Sequence, residues 1–318
     1  KNATEAINLV AYAWGREHVG PGDRIVLTHL EHHSNIVPWQ ILAQATGAEL
    51  AYLPIDGEGM LDLSVLDDEL ATGHVKLVAV AHVSNVLGTI VPVRDIAARA
   101  HAAGATVLVD GSQAVPQLPV ALGAIDADFY VWTAHKAYGP TGLGVLHGRR
   151  ELLEAMPPFL SGGDMISSVD FDCSRYNELP WKFEAGTSPI AEAVGMGAAV
   201  DFLRRLGLEA VREHEKDLAG YALERLTEVP GLTVYGPPDA ERRGGLVAWT
   251  MDCAHPHDVA EILARDGVCV RAGHHCAQPL MRVLGVGATT RASFAVHNSR
   301  ADVDALIAGL HKVREVFA

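Results

Sequence analysis

Short apolar runs alternate with amphipathic stretches along the first half of the chain. Each apolar run is of strand length, and the stretches between them carry apolar residues at helical spacing. Strands that alternate with helices in this way predict an α/β domain around a mainly parallel sheet. The predicted strands lie at 24–28, 49–53, 76–82, 105–110 and 128–132, and the clearest helices between them at 39–46 and 92–103.

A long helical pattern at 191–226 separates this half from a shorter, mixed segment. The later segment predicts a strand at 246–251 and helices at 257–266 and 301–317. This change of pattern indicates a second, smaller α+β domain. We expect a large domain at 1–205, a linking helix that continues to about 228, and a small domain at 229–318.

Composition narrows the class of protein. The chain has 318 residues, 49% of them hydrophobic, and its 39 acidic and 25 basic side chains give a net charge of −14. This charge argues against nucleic acid or an anionic membrane as the main partner, and no apolar run reaches the length of a membrane span. Four cysteines without a CxxC motif indicate free thiols in a reducing cytoplasm. The first residues form no signal peptide and include no initiator methionine, so we expect that the true N-terminus is missing.

Lys136 is the most informative residue. It follows the apolar run 128–132 and precedes Gly139 and Pro140, which predicts a tight loop at a strand end. A lysine held there can lose its charge by desolvation and act as an amine nucleophile. Asp110 ends the preceding strand. Pyridoxal phosphate requires such a pair, because the lysine forms a Schiff base while the carboxylate keeps the pyridine nitrogen protonated.

Six motifs, taken in order, resemble those of the SufS-type cysteine desulfurases. These are fold-type I pyridoxal-phosphate enzymes of the class V aminotransferase superfamily. The resemblance spans essentially the whole chain but lacks the first part of the family's sequence. It implies a mainly parallel, seven-stranded type of sheet in the large domain and a homodimer. The motifs lie at 3–10, 31–39, 82–89, 109–113, 133–142 and 271–280.

The resemblance also implies a role for each matching residue. His32 is expected to stack on the cofactor ring and to exchange protons, as an imidazole can near neutral pH. Residues expected to bind the cofactor are Ala3, Thr4, His32, Asn85, Asp110, Gln113, Thr133, His135, Lys136 and Thr187, the last of these across the dimer interface. Residues expected to bind the substrate are Arg291, Arg271 and Asn85.

Several of these residues have a plainer interpretation from the sequence alone. Thr4 is suited to a helix cap, and Thr187 to a turn before a proline. Gln113 and Asn85 resemble ordinary amides that hydrogen-bond the backbone. Arg291 could form a surface ion pair, and the histidines near position 32 could bind zinc, although their spacing is not regular. We expect no metal.

Cys276 distinguishes between the possible reactions. It lies between glycine and proline with two histidines and Arg271 nearby, a setting that favours the thiolate. Cys269, in an apolar segment, is expected to be buried. The resemblance implies that Lys136, His32 and Cys276 are catalytic. They would convert L-cysteine to L-alanine and leave a persulfide on Cys276.

The resemblance further implies that this sulfur passes to an acceptor protein of the SufU or SufE type for iron–sulfur cluster assembly. Alternatives remain. The chain could be a selenocysteine lyase, an aminotransferase or a kynureninase-like lyase. From a different class, it could be a non-catalytic scaffold that docks a sulfur carrier.

Overall fold

The computed structural model describes residues 1–317. The α-helices are α1 (Ala3–Leu9), α2 (Arg16–His18), α3 (Val37–Thr46), α4 (Leu63–Ala71), α5 (Val93–Ala102), α6 (Leu122–Ile125), α7 (Arg150–Ala155), α8 (Ile190–Leu206), α9 (Leu208–Leu226), α10 (Pro256–Arg265), α11 (Gln278–Val283) and α12 (Arg300–Phe317). The strands are β1 (Arg24–Thr28), β2 (Glu49–Leu53), β3 (Val75–Ala81), β4 (Thr106–Asp110), β5 (Phe129–Thr133), β6 (Gly144–Gly148), β7 (Ile166–Val169), β8 (Ser174–Tyr176), β9 (Leu232–Tyr235), β10 (Leu246–Met251), β11 (Arg271–Gly273) and β12 (Thr289–Ser293).

The first half of the chain forms one six-stranded sheet in the order β2-β1-β3-β4-β5-β6. Strands β1 to β5 are parallel and β6 is antiparallel. The prediction of a mainly parallel sheet is therefore confirmed, but residues 1–317 supply six strands where seven were expected. The start of α1, and not a strand, lies against β6. A Cβ on Gly144 would come within 2.5 Å of the Asn2 backbone.

Apolar side chains cover both faces of this sheet. In β3, Leu77 and Ala79 pack on the side that includes Trp39, whereas Val78 and Val80 pack on the opposite side. Successive residues of a strand point to opposite faces, so a strand that is covered on both sides must be apolar throughout. This explains why the sequence shows continuous apolar runs rather than alternation.

An antiparallel sheet in the order β11-β12-β10-β9 forms in the second half and packs against α9, α10 and α12. The expected single helix at 191–226 is instead two helices, α8 and α9. Gly207 separates them with a φ of 80°, a left-handed conformation that glycine adopts at little steric cost. A two-stranded hairpin, β7–β8, precedes these helices. The division into domains at about residues 205 and 229 remains our proposal.

Arg243 precedes β10 and forms an isolated β-bridge with Thr89, and within the described residues its side chain has no carboxylate partner. It is fully buried, and its guanidinium donates hydrogen bonds to the carbonyls of Pro237, Tyr235 and Leu246. Burial lowers its pKa to about 10, so it remains charged at neutral pH. No helix within residues 1–317 is long and apolar enough to cross a membrane.

Candidate active site

A cavity of about 510 Å³ opens where the carboxyl ends of the parallel strands face the second sheet. This is the edge at which open α/β sheets bind ligands. Both sheets contribute to its lining. Asp110, Thr133 and Lys136 come from the ends of β4 and β5, and Arg271 and Arg291 come from β11 and β12.

Lys136 and Asp110 meet in this cavity, as their positions at strand ends predicted. Burial lowers the pKa of Lys136, the Asp110 carboxylate opposes that effect, and Arg291 and Arg271 add to it. Asp110 is 7% exposed and accepts a hydrogen bond from the Ser112 amide through Oδ1, at 2.9 Å. Its other oxygen has no partner within the described chain, so it is free for a ligand.

A tyrosine supports the strand that carries Asp110. The Tyr130 hydroxyl lies 2.9 Å from Nδ1 of His82, and burial followed by the nearby Asp110 charge raises the pKa of Tyr130. The phenol therefore stays protonated. A Cβ on Gly111 would come within 2.2 Å of this hydroxyl, so the residue after Asp110 must be glycine for the ring to fit.

Glu31 anchors the segment that carries His32. Its buried carboxylate accepts hydrogen bonds from the Thr28 hydroxyl, the Asn35 amide and the Ala81 backbone N–H at 2.6–3.0 Å. The Ala81 contact ties the segment to the end of β3. Burial raises the pKa of Glu31 to about 7 despite these donors. The sequence analysis gave this residue no role.

Four residues expected at the cofactor phosphate line one part of the cavity: Ala3, Thr4, Thr133 and His135. Helix α1 starts there, and free N–H groups at a helix start attract anions. The cap is Asn2, whose side chain accepts from the Glu5 amide. The interpretation of Thr4 as a plain cap is therefore wrong. Its hydroxyl instead lies 2.6 Å from that of Ser34.

His32 also lines the cavity, and its ring is held in one tautomer. Nδ1 accepts a hydrogen bond from the Ser34 amide at 3.1 Å, which places the proton of a neutral ring on Nε2. Burial, followed by the Lys136 charge, lowers the pKa of His32 to about 4. A ring that is neutral at pH 7 suits stacking better than the expected proton exchange near neutral pH.

Arg271 and Arg291 are directly opposite each other on the antiparallel strands β11 and β12. Like charges in this position repel. Burial, followed by the Arg271 charge, lowers the pKa of Arg291 to about 10. Arg291 donates to the Asn85 carbonyl through Nη1 at 2.6 Å, while its buried Nε has no partner in the described chain. Such a pair is suited to a carboxylate, which would relieve the repulsion.

Cys276 lies on a constrained loop beside this pair. Its half-buried sulfur is 3.9 Å from Nη2 of Arg271. His275 and Cys276 both have left-handed backbone conformations, with φ of 55° and 57°. For a residue other than glycine, this conformation costs about 1–2 kcal/mol. The His275 ring faces Thr289 and not the thiol. Arg271 is thus the group seen beside the sulfur. Cys269 is exposed and outside any strand, so the expectation that it is buried is wrong.

Asn85 and Gln113 both line the cavity. Asn85 is 6% exposed and donates to the His275 carbonyl at 2.7 Å, which leaves one amide hydrogen and its oxygen for a ligand. Gln113 has a long contact with Gln117, at 3.4 Å. Asn85 therefore supports the cysteine loop, a role that the sequence did not indicate.

Thr187 is not brought to this cavity by its own chain. It is exposed and lines a separate hollow of about 450 Å³ near Leu143. The sequence analysis expected it to act on the phosphate of a second subunit, and that contact remains a prediction.

Glu215 was missed, although it lines the cavity from α9 and is only 1% exposed. Burial raises its pKa to about 8, with Arg212 opposing. The sequence analysis gave it no role. A signal was available, because positions 211, 215, 218, 222 and 226 form the buried stripe of α9, and a glutamate there should be buried.

The cavity residues fit pyridoxal phosphate. A helix start with hydroxyls matches the phosphate, the free Asp110 oxygen matches the ring nitrogen, and the Lys136 amine matches the aldehyde. Within residues 1–317, no three His, Cys, Asp or Glu side chains are arranged to hold a metal ion.

Comparison with known proteins agrees with this geometry. A sequence model of the class-V aminotransferase family matches residues 1–306. The cysteine desulfurase of Haloferax volcanii is 51% identical over 318 residues, which cover all of this chain and 74% of that protein.

Two solved structures are similar in fold as well as in sequence. The cysteine desulfurase CsdA from Escherichia coli has a TM-score of 0.95 and 39% identity, and the match covers all of this chain and 78% of that one. The apo cysteine desulfurase from Thermococcus onnurineus NA1 has a TM-score of 0.94 at the same identity and coverage.

Proposed function

The chain belongs to the class-V aminotransferase family, whose members depend on pyridoxal phosphate, and from this premise we propose that it is a cysteine desulfurase. The observation that carries the proposal is the position of the Cys276 sulfur. It lies 3.9 Å from an arginine of the pair that is suited to a substrate carboxylate. A thiol at this place can receive sulfur from an amino acid whose carboxylate the pair holds.

Residues of this chain account for each requirement of the cofactor. We propose that Lys136 attaches to its aldehyde, that Asp110 keeps a proton on its ring nitrogen, and that His32 covers its ring. Ala3, Thr4, Thr133 and His135 would hold the phosphate. When bound, pyridoxal phosphate supplies an aldehyde that bonds to amines and a ring that withdraws electrons from the substrate Cα.

The remaining residues act on the substrate. Arg291 and Arg271 bind the carboxylate of L-cysteine and thereby orient its Cα. The Lys136 amine, with its lowered pKa, takes the Cα proton and returns a proton to the same fragment. The Cys276 thiolate attacks the substrate sulfur, so that an S–S bond forms as the Cβ–S bond breaks. The products are L-alanine and a persulfide on Cys276.

A homodimer and a cytoplasmic location complete this proposal. The exposed position of Thr187 supports the dimer, because within residues 1–317 that residue lines a separate hollow and not the cavity that holds Lys136. We propose that the persulfide sulfur passes to an acceptor protein of the SufU or SufE type, for iron–sulfur cluster assembly. A scaffold would not need the Lys136 and Asp110 pair, and an aminotransferase would not need a thiol beside the arginines.

Alanine release from L-cysteine tests this function. The protein with bound cofactor and a reductant should form alanine and a persulfide, and Cys276→Ala should bind cofactor but form neither at the wild-type rate. Cys269→Ala is the matched control, because that thiol is exposed on the segment before β11. Full alanine release by Cys276→Ala would refute the nucleophile. A strong preference for selenocysteine in the same assay would favour a selenocysteine lyase.

A further inference from the structure

His33 contacts the Cys276 loop through both its backbone and its side chain. Its amide donates to the Cys276 carbonyl at 2.7 Å, and its Nε2 accepts from the Gln278 amide at 3.0 Å. Neither contact involves the cavity. His32, its neighbour, faces the cavity. Two consecutive histidines therefore have different surroundings: His32 lines the cavity, and His33 contacts the Cys276 loop.

The Gln278 amide needs such a partner. Gln278 is the first residue of α11 and Pro279 follows it, so the Gln278 N–H is one of the donors that a helix start leaves without a partner in its own helix. His33, 245 positions earlier in the chain, supplies the acceptor. Its side chain thus caps the helix that begins two residues after Cys276.

The same loop has the strained backbone that makes an anchor necessary. His275 and Cys276 are consecutive left-handed residues, and loops of this kind persist when the surrounding structure holds them. His33 holds the loop after the strain, and Asn85 holds it at the His275 carbonyl. Of these two side chains, the one that titrates is His33.

We infer that His33 is a positioning residue, which clamps the Cys276 loop while its ring is neutral and releases the loop when the ring is protonated. The inference rests on the proposed function only in the role of Cys276. The chemistry is direct, since a backbone N–H can only donate and Nε2 accepts only in the neutral ring with its proton on Nδ1. A protonated ring has donors at both nitrogens and cannot accept this hydrogen bond.

The sign of the pH dependence follows from the contact. Burial, followed by the charge of His274, lowers the pKa of His33 from 6.5. The clamp is therefore complete above pH 6.5 and weakens as the pH falls below that value. Two other titratable residues lie near the His33 ring. The His32 ring centroid is 6.3 Å away, and the Cys276 backbone carbonyl accepts a hydrogen bond from the His33 amide.

Hydrogen–deuterium exchange of the Gln278 amide tests the clamp in the protein with its cofactor. We compare wild type with His33→Ala and His33→Gln, because the glutamine oxygen can reach the place of Nε2 and does not titrate. His311→Ala, at an exposed position of α12, is the control. After correction for the intrinsic pH dependence, wild type should exchange about fivefold faster at pH 5.5 than at pH 7.5. His33→Ala should exchange fast at both pH values, and His33→Gln slowly at both.

Alkylation of Cys276 at pH 7.5, followed on its peptide by mass spectrometry, is the second readout. His33→Ala should change the rate about fivefold, His33→Gln should restore it, and Cys269 in the same sample should be unaffected. Slow Gln278 exchange in His33→Ala would overturn the inference, and so would a pH step that persists in His33→Gln. Neither readout needs turnover, so the clamp can fail while alanine forms, and the desulfurase can fail while the clamp stands.

Discussion

Replacing Arg291 with lysine should weaken substrate binding without removing the positive charge. The guanidinium has one donor on the Asn85 carbonyl at 2.6 Å and a buried Nε that has no partner in the described chain. It can therefore hold Asn85 and still present two parallel N–H groups to a carboxylate. A lysine ammonium is a point charge without this planar fork, so it cannot make both sets of contacts.

The number of hydrogen bonds lost by Arg291→Lys determines the expected rise in KM. Loss of one hydrogen bond between charged groups costs about 1.5–3 kcal/mol, which corresponds to a rise in KM for L-cysteine of about 10- to 150-fold. The carboxylate contact is present both before and during the reaction, so kcat should change much less than KM. Neutral substitution, Arg291→Met, should raise KM further.

Steady-state alanine formation measures this effect directly. Arg300→Lys is the matched control, because Arg300 lies on α12 in an exposed ion pair with Asp217 and should leave both constants unchanged. The reasoning is refuted if Arg291→Lys keeps a KM within about twofold of the control. A fall in kcat at an unchanged KM would show that Arg291 acts on the reaction and does not simply bind the carboxylate.

Three further substitutions test the cavity and the buried guanidinium of Arg243. Lys136→Ala should slow alanine formation by at least about 100-fold and prevent covalent trapping of the cofactor by borohydride, and trapping at another lysine would contradict this. Glu31, whose pKa is raised from 4.5 to about 7, contributes stability below pH 4.5 that is lost as the pH rises to 7. The unfolding free energy of Glu31→Gln should therefore rise by about 3 kcal/mol relative to that of wild type when the pH is raised from 4.5 to 7.5, as measured by urea unfolding of the cofactor-free protein. An equal difference between the two proteins at both pH values would refute this. Arg243→Met should lower the unfolding free energy by about 3 kcal/mol or more, because three buried carbonyls lose their donor. Arg242→Met, at the exposed neighbour, should change it little.

The sequence predicts the elements of the fold closely where a run of apolar residues ends abruptly. Strand β4 ends at Asp110 and β5 ends three residues before Lys136. These ends could be predicted because a strand buried on both faces is apolar throughout, so its first polar residue marks the end of the buried segment. The break between α8 and α9 was missed. Gly207 adopts a left-handed backbone there, and a glycine inside a helical pattern does not by itself reveal that conformation.

The burial of a single polar residue is harder to predict from the sequence, because it depends on contacts with residues that are distant in the chain. Cys269 has apolar neighbours but is exposed, because its segment follows α10 without joining a strand. Glu215 has charged neighbours but is buried, because α9 turns that position toward the cavity. Thr4 lies beside Ser34, 30 positions away, and no local pattern could show that contact.

Asn85 shows why the two halves of the site depend on one another. Its side chain donates to the His275 carbonyl, and its own carbonyl accepts from Arg291. One residue of the turn after β3 therefore contacts both the loop that carries Cys276 and Arg291 on β12. Because both contacts end on Asn85, a shift of its turn would displace the Cys276 loop and Arg291 together.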